Sequence, residues 1–432
     1  MNKKKYFLNA HIVDPCNSVN EIGGIIIDEN GKIEASGKRV NKNNIPSREK
    51  FVDLSGKHIF PGIVDMRVFG GEPGFEYKEN YRSLSEAALA GGVTSVVTMP
   101  NTNPVIDSVS IVDFIQRRGR DKSKINIFPT ATLTKDAEGT NMCEFGLLKN
   151  KGIVGFTDGI KTIQNSRVMS RIIKSAYDFD CLVIQHAEDQ ELSKDGMINE
   201  GIISTKLGIP GISDLAEKII IERDLSLLED TNCRYHISQI SSKKSLELIN
   251  YKKNIVDFTT GVSINNLALN ENDIGEFRTF LKLSPPLRTE EDRVSLIDGI
   301  NKNLIDVIVS DHKPEDEESK RLTFSQAGTG ASGIETFLSL ALEQFHNGSI
   351  KLEKIIELIT HNPAKILKID KWNLTVGSDA DFCIVDISKP WIVKKENLVS
   401  KSKNTSIEGR KLQGKVLSTF VKGNELYKMK WN

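Results

Sequence analysis

The sequence predicts an α/β fold, a (β/α)8 TIM-type barrel with a small composite β-domain formed by the N- and C-terminal segments. Two observations predict it. From about residue 58 to residue 312, apolar strand runs alternate with amphipathic helical stretches about eight times, the pattern of a parallel barrel. Both chain ends consist instead of short strands and turns, and termini often lie close in space. We therefore assign residues 1–55 plus 372–432 to the β-domain and residues 56–371 to the barrel.

The predicted elements follow one another in a simple order. Residues 5–55 contain short strands with a hairpin turn at Glu29-Asn30-Gly31. Barrel strands are predicted at 62–66, 93–100, 125–133, 153–159, 181–187, 233–238, 255–261 and 304–311. Helices are predicted near 83–92, 108–119, 166–179, 245–253, 333–347 and 351–369. Strand-and-turn sequence then returns and leads to the C-terminus.

The composition of the chain limits the class of ligand and the cellular setting. Lys and Arg number 58, and Asp and Glu also number 58, so no global field attracts nucleic acid or an anionic membrane. The five cysteines never form a C-x-x-C pair, which argues against a disulfide framework or a zinc knuckle. No apolar run approaches the ~18 residues that span a bilayer. We expect a cytoplasmic protein that binds a small molecule or a protein partner.

Candidate functional residues stand at the carboxyl ends of the predicted strands, where barrels carry their chemistry. They are Arg67, Phe69, Asn101, Asp158, His186, His236 and Asp311. Neutral imidazole is the commonest metal ligand, and a carboxylate at Asp311 can accept a proton from metal-bound water. Each residue type also has a structural interpretation, as a hydrogen-bonded histidine or a turn aspartate. The residues alone leave both interpretations open.

Several motifs carry a family likeness. The runs MPNTNPV (99–105), HAED (186–189), PPLRTEEDR (285–293) and SDHKPE (310–315) resemble those of the class I dihydroorotases, in the amidohydrolase superfamily. The likeness is co-linear from about residue 9 to residue 425. It implies a barrel with a composite β-domain, and a zinc-dependent activity that opens dihydroorotate or closes N-carbamoyl-L-aspartate in de novo pyrimidine biosynthesis.

The resemblance also assigns roles to single residues. His186 and His236 match two metal-binding histidines of the family, and Asp311 matches a metal ligand that also serves as the base. Asp158 matches the bridging acid, although Lys161 is an alternative for that position. Asn101 matches a residue that contacts the substrate.

This sequence departs from the family pattern within the site itself. Arg67 and Phe69 stand where the family has a His-x-His pair on the first barrel strand. Further departures from expected family residues occur at Gly71, Asn265, Asn266, Ser284 and Glu315. The remaining ligands correspond to half of a two-metal centre, so we expect one zinc ion at most. Arg67 either repels a second metal ion, pairs with Asp311, or grips the substrate carboxylate.

Three functional hypotheses follow. The first is a dihydroorotase-like cyclic amidohydrolase whose metal site is depleted, which makes it a pseudoenzyme candidate. The second is a non-catalytic dihydroorotase homologue that acts as a structural partner of aspartate carbamoyltransferase, as some relatives of the family do. The third is another cyclic amidohydrolase, with a hydantoin or allantoin-like substrate. All three are compatible with a homo-oligomer or a hetero-oligomer.

Overall fold

The computed structural model describes residues 3–369 and 372–429 and confirms the predicted fold class. Its strands, in chain order, are β1 (Lys5–Asp14), β2 (Val19–Ile27), β3 (Ile33–Gly37), β4 (Val52–Asp53), β5 (His58–Pro61), β6 (Ile63–Val68), β7 (Val93–Thr98), β8 (Asn126–Pro129), β9 (Val183–Gln185), β10 (Ile198–Asn199), β11 (Gly211–Ile212), β12 (Tyr235–Ile240), β13 (Thr259–Ser263), β14 (Val307–Val309), β15 (Phe382–Ile392), β16 (Lys411–Val421) and β17 (Asn424–Lys428). Strands from both chain ends share one sheet of order β17-β16-β15-β5-β1-β2-β3, with β4 beside β1.

The helices fill the intervals between the strands. They are α1 (Tyr81–Ala90), α2 (Val109–Lys122), α3 (Phe145–Asn150), α4 (Ser166–Asp178), α5 (Ile202–Leu207), α6 (Asp214–Leu228), α7 (Lys243–Lys252), α8 (Ile264–Ala268), α9 (Glu290–Asn301), α10 (Glu317–Arg321), α11 (Phe337–His346), α12 (Leu352–Ile359) and α13 (His361–Leu367). Within the described ranges, no helix is both long enough and apolar enough to cross a membrane.

The barrel closes through single bridges between two parallel sheets. One sheet has the order β6-β7-β8 and the other β14-β13-β12-β9. Phe156 forms parallel bridges to both Ala131 and Val183, so it serves as the fourth strand position, which was predicted as a full strand. Val68 and His312 form the bridge that closes the ring on the other side. The ring therefore has eight strand positions, and its carboxyl ends form one mouth.

Amphipathic sequence explains how the helices pack around this ring. In α4 the buried residues Met169, Ile172, Ile173 and Ala176 recur at the three- and four-residue spacing of one helix face. The Asn165 side chain caps this helix by accepting hydrogen bonds from two first-turn backbone N–H groups. Burial of the apolar face fixes the helix against the barrel.

The predicted helix near 351–369 is in fact two helices, α12 and α13. Thr360 separates them with a backbone at φ −128° and ψ −73°, outside the helical region. Pro363 lies in the first turn of α13, where its missing N–H costs little. In one continuous helix the proline ring would clash with the carbonyl of Ile359, so the chain bends before it.

Two stacked histidines in the composite sheet predict a pH dependence of stability. The rings of His11 and His58 lie 4.8 Å apart between centroids. Burial, and then the positive charge of His11, lower the pKa of His58 to about 4. The unfolded chain binds this proton near pH 6.5, so stability is lost as the pH falls from 6.5 towards 4.

From pH 7 to pH 5 we expect the native chain to lose about 1 kcal/mol more unfolding free energy than His58→Gln does, because solvent reduces the effect at this partly exposed ring. Urea unfolding followed by circular dichroism at both pH values measures this difference. Equal losses in the two proteins would contradict the prediction.

Candidate functional site at the barrel mouth

Arg67 occupies the centre of the barrel mouth. Its guanidinium donates from Nε to Asp311 Oδ1 at 3.1 Å and from Nη1 to Ser238 Oγ at 2.9 Å. The pairing of β6 with β7 shifts register between Asp65 and Val68. Such a bulge changes the direction of the side chains within it. Arg67 lies in this bulge, and its side chain lines the mouth. Of the predicted roles for Arg67, the structure contains the ion pair with Asp311.

Burial dominates the electrostatics of this ion pair. Loss of hydration raises the pKa of Asp311, although the charge of Arg67 works in the opposite direction. Loss of hydration likewise lowers the pKa of Arg67 against the attraction of Asp311. Each group is therefore stabilised in its charged form by its partner, which offsets part of the free-energy cost of removing both groups from water. Asp311 has φ 53°, a left-handed backbone that Asp tolerates better than most residues.

A third ionisable group lies next to the pair. Asp65 is fully buried, and its Oδ1 accepts hydrogen bonds from the backbone N–H groups of Arg67 and Ser310, each at 3.3 Å. Its Oδ2 has no hydrogen-bond partner among the described residues. Burial raises the pKa of Asp65 to about 6. A carboxylate here fixes the backbone on which Arg67 is mounted.

The two predicted histidine ligands are buried in separate hydrogen-bonded settings. His236 Nδ1 lies 2.8 Å from Thr259 Oγ1, and burial followed by the charges of Lys253 and Arg67 lowers its pKa to about 3. His186 Nε2 lies 3.3 Å from Ser284 Oγ and 3.6 Å from Glu188 Oε2. Each imidazole nitrogen named here already faces a polar protein atom.

Asp158 directs its carboxylate into a neighbouring loop. Its Oδ1 accepts from the backbone N–H groups of Leu133 at 2.8 Å and Thr134 at 3.0 Å, and its Oδ2 accepts from the Thr134 hydroxyl. Lys161 Nζ donates to the carbonyl of Ala137 at 3.0 Å. Both candidates for the bridging position therefore hold the loops of the fourth strand in place.

The residues present do not fit the zinc site predicted at Asp158, His186, His236 and Asp311. Across residues 3–369 and 372–429, no three His, Cys, Asp or Glu side chains lie close enough together to hold a metal ion. The physical reason is that the Asp311 carboxylate is paired with Arg67, whereas the Asp158 carboxylate accepts hydrogen bonds from backbone N–H groups. A guanidinium at the centre of the mouth also repels a cation.

A cavity of about 200 Å³ opens at the mouth. Four of the candidate residues line it, namely Arg67, Phe69, Asn101 and Asp311. Asn101 is fixed by a hydrogen bond from its Nδ2 to the carbonyl of Asp158 at 3.0 Å. Gly159, at φ 74°, makes room for that amide, since a Cβ there would lie 1.5 Å from Asn101 Oδ1. His186 and His236 do not line this cavity.

Sequence reasoning missed two lysines of the cavity wall. Lys78 and Lys313 line it, and Lys78 Nζ lies 2.6 Å from Oε2 of Glu315, the residue already named as a departure from the family pattern. His312 accepts a hydrogen bond at Nδ1 from Gly333 N at 3.2 Å and faces Glu79 Oε2 across 3.6 Å with Nε2. Asp311 was chosen because it stands at the carboxyl end of a predicted strand, and Lys313, two residues later, lies at the same end of the barrel.

Comparison with known proteins finds close relatives over the full chain. A family model described as Dihydro-orotase-like matches residues 56–245. The dihydroorotase of Syntrophus aciditrophicus is 38% identical over 419 residues, which cover 97% of this chain and 98% of the relative. The dihydroorotase of Ehrlichia canis is also 38% identical, over 98% of this chain and 94% of the relative.

Solved structures match the fold over the same length. The L-hydantoinase (dihydropyrimidinase) of Arthrobacter aurescens superimposes with a TM-score of 0.86 at 22% identity, covering 98% of this chain and 96% of that one. The dihydropyrimidinase of Brevibacillus agri gives a TM-score of 0.83 at 19% identity, covering 98% and 95%. At these identities the likeness establishes the shared architecture alone.

Proposed function

This chain belongs to the dihydroorotase family of the amidohydrolase superfamily, and we propose that it serves de novo pyrimidine biosynthesis as a non-catalytic dihydroorotase homologue. One observation carries the proposal. The Arg67 guanidinium is bound to Asp311 at 3.1 Å in the centre of the mouth, where the family resemblance expects metal ligands. The chain retains the fold of the family, but the guanidinium of Arg67 stands where the family pattern has a metal-binding histidine.

The chemistry of ring opening explains why this change matters. Hydrolysis of a cyclic amide needs a base that can take a proton and a group that stabilises charge on the carbonyl oxygen. The Asp311 carboxylate is occupied by Arg67, and two donors of Arg67 are occupied by Asp311 and Ser238. In this arrangement the charge of Arg67 opposes transfer of a proton to Asp311, the one carboxylate that the family resemblance assigns as the base.

One further observation favours a role as a structural partner of aspartate carbamoyltransferase. The loop 72–79 is held from several sides. Glu72 accepts from Tyr81 N at 2.9 Å and pairs with Arg118 at 2.7 Å, and Ser402 Oγ donates to Lys78 O at 2.8 Å. The same loop exposes 57% of Tyr77. A rigid loop with an exposed tyrosine suits a protein interface.

The experiment measures ring opening of dihydroorotate by zinc-reconstituted protein, alone and mixed with aspartate carbamoyltransferase from the same organism. We expect no rate above that of Asp311→Asn in either sample. Size-exclusion chromatography of the mixture should show the two proteins eluting together.

Two results would count against the proposal. Turnover that is lost in Asp311→Asn would mean an active dihydroorotase. Separate elution of the two proteins would remove the partner role. Running the assay also with hydantoin tests the third hypothesis, another cyclic amidohydrolase, which faces the same difficulty at Arg67 and Asp311.

A further inference from the structure

We propose that a cleft in the composite β-domain binds a fatty acid, an apolar chain that ends in one carboxylate, and that Lys5 holds the carboxylate. Within the described part of the chain, this cleft and the cavity at the barrel mouth share no lining residue. The inference therefore goes beyond the proposed function. It rests on an opening in the sheet, on the apolar floor of the cleft, and on the lysines along its rim.

The cleft exists because the sheet is incomplete beside β4. Both β4 and β5 pair with β1 in the parallel direction. On its other side β5 pairs with β15, whereas β4 has no second strand neighbour among the described residues. The cleft has a volume of about 430 Å³, which is within the range of ligand pockets. Its lining combines Val52 and Asp53 of β4 with residues of β15, β16 and β17.

The floor of the cleft is apolar. It consists of five side chains from the core of the composite domain, each between 2% and 8% exposed, namely Phe7, Leu54, Ile384, Leu417 and Phe420. The rings of Phe7 and Phe420 lie 5.3 Å apart between centroids at an angle of 77°. Because the lining extends over the neighbouring strands β15, β16 and β17, the cleft is about 10 Å long in this direction. An elongated apolar floor suits a flexible chain better than a compact ring.

Lysines outnumber carboxylates along the rim of the cleft. Only Asp53 and Glu425 oppose five lysines, which are Lys4, Lys5, Lys50, Lys57 and Lys428. Both carboxylates are already engaged. Asp53 accepts hydrogen bonds from Asn9 and Ser55, and Glu425 accepts one from Ser418 Oγ at 2.8 Å. A positive rim beside an apolar floor matches a chain with one anionic end.

Lys5 is the lysine that is best placed to hold this carboxylate. Three of the other four already form ion pairs with carboxylates, and the fourth, Lys50, is exposed to solvent. The Lys5 ammonium donates to the carbonyl of Gly423 at 2.6 Å and lies 5.8 Å from the centroid of the Phe420 ring. It forms no ion pair within 3–369 and 372–429. An ammonium has three donors, so Lys5 can also bind a carboxylate at the edge of the apolar floor.

A fluorescence titration of the full-length chain with dansyl-undecanoate tests this inference. The probe is a fatty acid whose dansyl emission rises in an apolar site, and its methyl ester has the same chain without the charge. We expect the acid to bind at least about tenfold more tightly than the ester, because only the acid can pair with Lys5. Laurate, a fatty acid without the dansyl group, should displace the probe.

Variants identify Lys5 as the group responsible. Lys5→Met should weaken binding of the acid about 10–100-fold, the value of one charge-assisted hydrogen bond, while Lys5→Arg should retain most of it. Lys282→Met is the matched control, since the Lys282 ammonium also donates to a carbonyl, that of Ser325, and lies 5.9 Å from the centroid of the Phe324 ring. It should bind the probe like the unmodified chain. The melting temperature, followed by circular dichroism, checks that each variant is folded.

Three results would overturn the inference. They are no binding of dansyl-undecanoate, equal affinity for the acid and its ester, and equal affinity of Lys5→Met and the unmodified chain for the acid. Failure of laurate to displace the probe would overturn it as well, because the dansyl group would then be what is recognised.

Sedimentation with phosphatidylglycerol vesicles distinguishes a free fatty acid from a membrane surface. We expect the chain to stay in the supernatant. Binding to the vesicles without binding of laurate would assign the basic rim to a membrane and contradict the inference. None of these measurements involves ring opening or a protein partner, so their failure is distinguishable from failure of the proposed function.

Discussion

Arg67→Met should lower the free energy of unfolding by about 3–5 kcal/mol, because it leaves the buried Asp311 carboxylate without its partner. The side chains of Arg67 and Asp311 are 6% and 11% exposed, so water hydrates the Asp311 carboxylate much less than it would at the surface. Burial already raises the pKa of Asp311 while Arg67 is present. Without Arg67 the carboxyl should protonate more readily, and the destabilisation should shrink as the pH is lowered. Urea unfolding at pH 8 and pH 6 measures both effects.

A double variant distinguishes the loss of the ion pair from a loss of packing in the barrel. In Arg67→Met/Asp311→Asn no charge remains to be buried, and Asn tolerates the left-handed backbone at position 311. We expect the double variant to recover most of the loss. Arg82→Met removes an arginine whose side chain is 76% exposed, and it should change stability by less than about 0.5 kcal/mol. A double variant as unstable as Arg67→Met would show that packing is responsible.

Arg288→Leu should cost about 3 kcal/mol of unfolding free energy for a different reason, the loss of a buried hydrogen-bond network. Arg288 is 3% exposed and donates to Ser241 Oγ at 3.1 Å, Asn199 Oδ1 at 2.9 Å and the carbonyl of Ile212 at 2.6 Å. These acceptors belong to segments far apart in sequence. Leucine fills part of the volume but leaves the buried acceptors unsatisfied.

Arg288→Lys tests whether the shape of the guanidinium matters. A lysine carries the same charge but cannot donate in several fixed directions from one plane, so most of the loss should persist. The control Arg321→Leu removes an arginine that is 72% exposed and paired with Glu317 of the same helix, and it should be nearly neutral. Full stability of Arg288→Lys in the same urea experiment would mean that charge alone holds this network.

The fold was predictable because its signals are local. Alternation of apolar strands and amphipathic helices is visible in short windows, and it predicted the barrel. The break between α12 and α13 was not predicted, although Pro363 inside the predicted helix is a local signal for it. The fourth strand position was harder to predict, since an apolar run does not tell how many of its residues pair with neighbours. Only Phe156 bridges the flanking strands.

The sequence predicts the positions of candidate site residues more readily than the directions of their side chains. Of the residues chosen at strand ends, Arg67, Phe69, Asn101 and Asp311 line one cavity. The direction of the Asp158 carboxylate depends on N–H groups of Leu133 and Thr134 in another loop, which no local pattern reveals. Lys313 went unnoticed because lysine is usually a solvated surface residue.

The sheet that unites both chain ends has a consequence for biosynthesis. β1 to β5 pair with one another early, but β5 also pairs with β15, and β15 pairs with β16, so one edge of β5 cannot complete its hydrogen bonds until β15 has left the ribosome. During most of translation they present an open edge, which can pair with other nascent chains. Contacts between distant segments also form slowly. The open edge of this sheet during synthesis is therefore set by the order in which the two chain ends are made.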